Sequence, residues 1–301
     1  MTHSITRRGA LAAVLLAPAL AAMGTNTRSG VAVAERFRSL ERRHGGRLGV
    51  AVLDLGSGQG LEHRADERFP MCSTFKVLAA AHILARVDRG EERLQRRIAF
   101  TAADLVTRDG RVSWSPATQA GVGEGGMTVE ALCAAAVSLS DNTAANLLLA
   151  VSGGPPALTA YVRSLGDRVT RLDRTEPDLN EAAPGDPRDT TSPRAMLQTL
   201  RAVLFGGALS ADSRRRLEGW MVACKTGDRR LRAGLPATWR VGDKTGTSPN
   251  AAAGDIAAAW PPTGAPLLVT AYYAGWRASD VQRDAVFAEV GRIVADLRGP
   301  P

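Results

Sequence analysis

The sequence predicts an α+β protein: an antiparallel sheet flanked by helices and assembled from both chain ends, with an all-helical insert between them. Three observations carry this. The chain opens on a helix-type pattern followed by a strand-type run. Its middle is dominated by helix-type periodicity, and it closes on three strand-type runs and one more helix. A sheet built from the two ends explains that order, because strand runs need partners and both faces of the sheet need cover. With 301 residues, 45% of them hydrophobic and 23% charged, the chain can bury a sizeable core.

Each element has its own signature. Val31 to His44 sets Val33, Phe37 and Leu40 on one side and arginines and glutamates on the other, as a helix does. Leu48 to Leu55 is a strand closed by the turn Gly56-Ser57-Gly58. An apolar, alanine-rich helix runs from Ser73 to about Asp88. Thr128 begins another, with an apolar run from Leu132 to Leu139. Asn142 to Val151 is a third, stopped by Gly153-Gly154-Pro155, and Pro156 to Leu165 a fourth. Residues 171–190 are rich in Pro, Asp and Arg without a period and form a long loop. Ser192 to Leu204 and Ser210 to Ala223 are further helices. Ala237 to Lys244, Gly254 to Trp260 and Leu267 to Tyr273 are strands, and Asp280 to Leu297 is the closing helix. The predicted organisation is an α/β part from residues 31–70 and 222–301 and an all-helical part from 71–221, with the active site between them.

Residues 1–22 have the form of an export signal. Arg7 and Arg8 lead an apolar run, Gly9 to Ala22, that ends in small residues a peptidase can cut. Thr6-Arg7-Arg8-Gly9-Ala10-Leu11 suits the twin-arginine route as well as the general secretory one. The expected location is therefore outside the cytoplasm, periplasmic or extracellular. No later stretch offers 18 uncharged apolar residues, so no stable membrane insertion is expected after signal removal. The net charge of +8 is scattered, with no basic run interleaved with aromatics, which argues against a nucleic-acid partner. The spacing of Cys72, Cys133 and Cys224 fits no zinc site, and His3, His44, His63 and His82 cluster with none of them. No metal or cofactor is expected, and a Ser-His-Asp triad is not indicated.

The chemistry lies in the lysines. Of 38 basic residues only Lys76, Lys225 and Lys244 are lysine, and a buried lysine can give up its proton where arginine cannot. Codon usage that favours arginine explains the scarcity but not the positions. Lys76 stands in Ser73-Thr74-Phe75-Lys76, and Lys244 in Lys244-Thr245-Gly246. Ser140-Asp141-Asn142 and Glu176-Pro177-Asp178-Leu179-Asn180 lie between them. Three residues apart at a helix start, Ser73 and Lys76 share a face, about 5–6 Å apart at Cβ. A serine hydroxyl is a weak nucleophile that needs such a neighbouring base. Alone, Ser-x-x-Lys arises by accident, Asp141 and Asn142 are helix caps, and Lys-Thr-Gly is a turn. In this order together, chance is remote. Of the two Lys-Thr-Gly triplets, Lys225-Thr226-Gly227 follows the helix 210–223 and reads as a helix exit. Lys244-Thr245-Gly246 follows the strand-like Trp239-Arg240-Val241, where an edge strand can face the cleft.

With these motifs the chain resembles the class A serine β-lactamases over nearly all of its mature length. Gly126-Met127-Thr128-Val129, Arg174-Thr175-Glu176-Pro177 and Arg188-Asp189-Thr190-Thr191-Ser192-Pro193 extend the likeness. The resemblance implies the serine β-lactamase and penicillin-binding-protein fold, and a β-lactam as the small-molecule partner of a monomeric hydrolase. It implies Ser73 as nucleophile, Lys76 assisting its activation, and Ser140 as the proton relay to the leaving nitrogen, and it leaves open whether Lys76 or Glu176 is the acylation base. Glu176 and Asn180 would hold the hydrolytic water, and Asn142 the substrate amide. Ser73 and Thr247 would supply the oxyanion-hole N–H groups. Lys244, Thr245 and Thr247 would bind the substrate carboxylate, with Trp114 as an aromatic gate. Arg174 and Asp189 would close the loop as an ion pair, and Asp141 would support its neighbours.

Departures from the family pattern are equally specific. Thr175 replaces a tryptophan that many members carry. Ala253 stands where some carry a carboxylate-binding arginine, and Arg230 where others place that arginine instead; a solvated surface run, Arg229-Arg230-Leu231-Arg232, is the alternative. Cys133 faces Ala80, and Cys72 faces Ser248, at positions that pair as cysteines in some members, so no disulfide is expected. Two other readings remain open at this level: a D-Ala-D-Ala peptidase of the penicillin-binding kind and a β-lactam sensor domain. The glutamate motif at 176 argues against both, because it supplies fast deacylation.

Overall fold

The computed structural model describes residues 26–277 and 279–298, and the predicted export signal lies outside them. Helix α1, Asn26–His44, opens the described chain, starting before Val31, and turns at Gly45 into strand β1, Gly45–Asp54. Strand β2, Gly60–His63, folds back on β1. Strands β9, Arg240–Ser248, β10, Ala252–Trp260, and β11, Leu267–Trp276, come from the other end of the chain. The sheet runs β2-β1-β11-β10-β9, antiparallel throughout, with β1 from the first third paired to β11 in the register Val50↔Ala271. The short strand β2 was not foreseen. Strand β9 lies further along the chain than the expected Ala237–Lys244, because its ladder with β10 extends to Ser248↔Ala252 and carries the whole Lys244 triplet.

Side chains alternate across a strand, and both faces here are covered. Leu48, Val50 and Val52 pack with Val269, Ala271 and Tyr273 against Phe37 and Leu40 of α1. Phe287, Val290 and Ile293 of α10, Asp280–Asp296, complete that layer. Ala51, Ile256, Leu268 and Tyr272 face the opposite way, into the helical body. That two-sided burial is why β10 reads as a largely apolar run, interrupted by the buried Asp255, rather than an alternation.

The helical body is organised around α2, Phe75–Asp88, whose residues from Phe75 to Ala85 are all buried. A helix apolar on every side belongs at the centre of a core. Around it lie α3, Pro116–Ala120, α4, Val129–Ala134, α5, Asn142–Ser152, and α6, Gly154–Ser164. Helices α7, Pro193–Phe205, and α8, Ala211–Val222, complete the body, while the short α9, Leu231–Gly234, lies against α10. Side-chain caps set several starts: Thr128, Asp141, Ser192 and Ser210 each accept from a backbone N–H of the first turn. The helix predicted from Thr128 to Leu139 instead divides. After α4 the chain widens into a π-turn, Ala135–Leu139, and ends with Ser140 in the left-handed conformation at φ 60°. Such bulges gather at functional sites. Three two-residue ladders pin the loops: β3, Phe69–Pro70, with β8, Thr190–Thr191; β4, Arg97–Ile98, with β7, Met127–Thr128; and β5, Thr107–Arg108, with β6, Arg111–Val112. The start of α2, the edge strand β9 and the 171–190 loop converge on one cleft. Among the described residues no helix is long and apolar enough to cross a membrane.

Candidate active site

Ser73 does not start the long helix itself. It sits in a 3-10 turn, Cys72–Thr74, that runs directly into α2. Cys72 holds a left-handed backbone at φ 45°, a conformation that strains a residue with a Cβ. The turn is over-determined by its surroundings. Met71 N donates to Asp189 O at 2.9 Å, and Thr74 Oγ1 donates to Met71 O at 2.8 Å. On the other side β9 presses against it at Gly246. A Cβ at that position would stand 2.8 Å from Met71 O and 2.9 Å from Ser73 N. Glycine alone lets the strand approach the Ser73 amide that closely, and Thr247 is the next residue of the strand.

An ionic centre lies behind the serine. Lys76 Nζ, fully buried, donates to Asn142 Oδ1 at 2.5 Å and Ser140 O at 2.9 Å, and pairs with Glu176 Oε1 at 3.0 Å. Ser73 Oγ donates to the same Glu176 oxygen at 3.2 Å. The other carboxylate oxygen accepts from Asn180 Nδ2 at 2.5 Å. Burial drives the Lys76 pKa below its ordinary value, and the Glu176 carboxylate opposes that fall. Lys244 Nζ approaches from β9 and donates to Ser140 Oγ at 2.9 Å and Thr245 O at 2.6 Å. Burial pushes its pKa down to about 8, and the charge of Lys76 acts in the same direction. The Ser140 hydroxyl therefore lies between two lysines, 3.5 Å from Lys76 Nζ.

The loop that carries Glu176 is clamped at several points. Arg174 Nε pairs with Asp189 Oδ2 at 2.6 Å, while Asp189 Oδ1 accepts from the backbone N–H groups of Asp173 and Arg174. Asn146 on α5 grips the glutamate backbone from both sides. Its Nδ2 donates to Glu176 O at 2.8 Å, and Glu176 N donates to its Oδ1 at 2.9 Å. Ser248 Oγ donates to Asn180 O at 2.6 Å, tying the loop to the end of β9. Sequence reasoning missed Asn146, Ser248 and Ser113, which accepts from Asn142 Nδ2 at 2.8 Å. Asn146 had a signal, since it stands one helical turn from Asn142 on the same face.

The rim completes a cleft of about 640 Å³. Trp114, 63% exposed, borders it with its Nε1 donating to Leu139 O at 2.6 Å. Asp141 is buried and accepts from Thr118 Oγ1 and from the N–H groups of Ala117, Thr118 and Ala144. Arg230 is not on a solvated face: it is 5% exposed. Its Nη1 donates to Gly246 O and Gly254 O at 2.9 Å each, its Nε pairs with Asp284, and its Nη2 donates to Thr247 Oγ1 at 2.6 Å. Ala253, opposite Thr247 in the ladder, faces the core. Lys225-Thr226-Gly227 does follow the exit of α8, but it also lines the cleft, and Thr226 Oγ1 meets Thr245 Oγ1 at 2.6 Å. Cys72, Cys133 and Cys224 are free, buried thiols.

Comparison with known proteins gives this geometry its family. The profile of the Beta-lactamase enzyme family matches residues 32–297. The chain is 47% identical over 297 residues to β-lactamase L2 of Stenotrophomonas maltophilia, covering 96% of each protein. It is 47% identical over 264 residues to β-lactamase AST-1 of Nocardia asteroides, covering 88% of this chain and 83% of that one. A solved structure of an ancestral (GNCA) class A β-lactamase superposes with a TM-score of 0.85 at 60% identity, covering 88% of this chain and 99% of that one. The chain belongs to the class A β-lactamases. The peptidase and sensor alternatives fall with that assignment, because the likeness spans nearly the whole chain and is to enzymes that hydrolyse β-lactams. Among the described residues no cluster of His, Cys, Asp and Glu is placed to hold a metal ion.

Proposed function

We propose that this class A β-lactamase works through a Ser73 acyl-enzyme that Glu176 deacylates. The observation that carries the reading is a single oxygen, Glu176 Oε1, within reach of both Ser73 Oγ and Lys76 Nζ. Ser73 Oγ attacks the lactam carbonyl carbon as its proton passes to the Glu176–Lys76 pair, either member of which can take it, so acylation survives the loss of the carboxylate. The Ser73 and Thr247 N–H groups receive the developing oxyanion. The C–N bond then breaks, and the ring nitrogen takes a proton from Ser140 Oγ; Lys76 replaces it and is left with the proton taken from Ser73, so Glu176 is a carboxylate again before water attacks. Asn142 receives the substrate's side-chain amide, and Trp114 closes over the bound ring. Water, positioned by Glu176 and Asn180, attacks the ester carbonyl and gives its proton to Glu176; the bond from the carbonyl carbon to Ser73 Oγ then breaks, and that proton passes to Ser73 Oγ, which releases the ring-opened acid and restores both the serine and the carboxylate. The run at residues 7–22 supports export ahead of this activity. Repeated hydrolysis of nitrocefin by the purified protein supports the cycle; a single turnover that leaves the protein acylated overturns the deacylation half of it.

The substrate carboxylate falls to Lys244, Thr245, Thr247 and Arg230. Arg230 is already bound to three neutral acceptors and one acid, so it acts mainly by holding Thr247 and adding its charge from behind. Arg230→Ala should raise KM for benzylpenicillin about tenfold, with a smaller change in kcat, because a charge-assisted contact of this size acts on ground and transition states alike. An unchanged KM would remove Arg230 from the carboxylate site.

Lys244 makes binding pH-dependent. As pH rises through about 8 its ammonium is lost, so KM should climb on the alkaline side. Lys244→Arg, which stays charged, should flatten that limb. Stability moves the other way. Between about 8 and the ordinary 10.5 the unfolded chain holds the proton that the folded chain has released, so this group's contribution to stability grows with pH. A KM that is level from pH 7 to 10 in the unaltered protein would refute the assignment.

A further inference from the structure

We propose that Lys225, with Arg229 beside it, forms a subsite for a second anionic group on the substrate, carried on the arm that projects from the fused ring beyond the ring carboxylate. The inference rests on the serine mechanism above and adds a substrate class to it, the dianionic β-lactams. It starts from the triplet that the mechanism leaves unused. Lys225-Thr226-Gly227 and Lys244-Thr245-Gly246 touch through their threonines, Oγ1 to Oγ1 at 2.6 Å. Lys225 thus stands one residue from the wall assigned to the ring carboxylate.

The turn that carries Lys225 is fixed in place. Lys225 N donates to Ser138 O at 2.9 Å, and Arg230 N donates to Gly227 O at 2.9 Å. Gly227 lies so close to β9 that a Cβ would fall 1.5 Å from Asp243 Oδ2. A pinned backbone gives the exposed ammonium a defined origin, and both Lys225 and Arg229 line the cleft. Asp284 is shared by Arg230 and Arg283, while the exposed Asp228, which also borders the cleft, approaches only Arg232, at 3.8 Å. Among the described residues Lys225 and Arg229 have no carboxylate within salt-bridge distance. A substrate with one carboxylate satisfies the inner cations and leaves these two uncompensated. A second anion on the outward arm meets them at the mouth of a low-dielectric cleft, where such fields are focused.

Two mandelyl cephalosporins test this. Cefamandole carries a methyl group on the tetrazole of its outward arm, and cefonicid carries a sulfonatomethyl group at the same place. The ratio of kcat/KM, cefonicid over cefamandole, should fall about fivefold in Lys225→Ala, the size of a partly solvated ion pair, with the change in KM. Lys225→Arg should keep the ratio, and Arg229→Ala should lower it less. Raising sodium chloride to about 0.5 M should shrink the preference in the unaltered protein more than in Lys225→Ala, where only Arg229 remains to be screened. Turnover of both cephalosporins with the same ratio in the unaltered protein and in Lys225→Ala overturns the subsite alone. Turnover of neither by the unaltered protein overturns the proposed function, and the subsite with it.

Discussion

Replacing Glu176 with glutamine should leave a protein that benzylpenicillin acylates and that then stays acylated. The glutamine keeps the shape of the side chain, and its oxygen can still accept from Asn180. What it loses is the ability to take a proton from water, a form of assistance typically worth about 10²–10⁴-fold in rate. Intact-mass spectrometry should therefore find the protein shifted by one penicillin long after the unaltered protein has returned to its free mass. The change also leaves Lys76 Nζ, fully buried, without its counter-charge. Removing one partner of a buried pair is costly, so the variant should melt at a lower temperature while remaining folded. Turnover at an undiminished rate would place the deacylating base elsewhere, and Lys76 would be next to examine.

Ser73→Ala should abolish the adduct altogether. The hydroxyl makes one hydrogen bond, to Glu176 Oε1, so its loss leaves the turn held by Thr74, Met71 and Gly246 and the fold intact. Nitrocefin hydrolysis should fall to the background of the buffer, with the melting temperature close to that of the unaltered protein. An adduct on the alanine variant, mapped to any other residue, would overturn the nucleophile assignment.

What the sequence disclosed follows from how local each interaction is. Ser73 and Lys76 lie one turn apart, and Ser140 to Asn142 are contiguous, so periodicity and spacing alone bring them together. The pairing of Arg174 with Asp189 joins the two ends of an aperiodic loop, and only resemblance to a family suggested it. The grip of Asn146 on the Glu176 backbone and the meeting of Thr226 with Thr245 depend on how separate segments pack. No pattern in the chain encodes those distances. Arg230 shows the same limit. Within a run of three arginines and a leucine, composition does not tell an inward arginine from a solvated one; the family resemblance put Arg230 at the cleft, and the turn after Gly227 does swing it inward to the carbonyls of β9 and β10 while Arg229 stays exposed. Strand boundaries were misread where the run of apolar residues ended but the ladder did not, as at Lys244 to Ser248.

The pairing of β1 with β11 sets an order of assembly. Residues 45–54 find a near partner in β2 only along Val50–Leu53 and wait for residues 267–276 on their other edge, and contacts so distant along the chain close slowly because a long loop must be brought together first. The helices around α2 rely on nearer neighbours and can gather sooner. Ser73, Lys76 and Glu176 all precede β9 in the chain, and β9 in turn needs β10 as its partner, so the wall proposed for the substrate carboxylate is among the last parts of the cleft to form. On the proposed roles, activity needs the completed sheet, so nitrocefin hydrolysis during refolding should first appear together with the β1–β11 pairing.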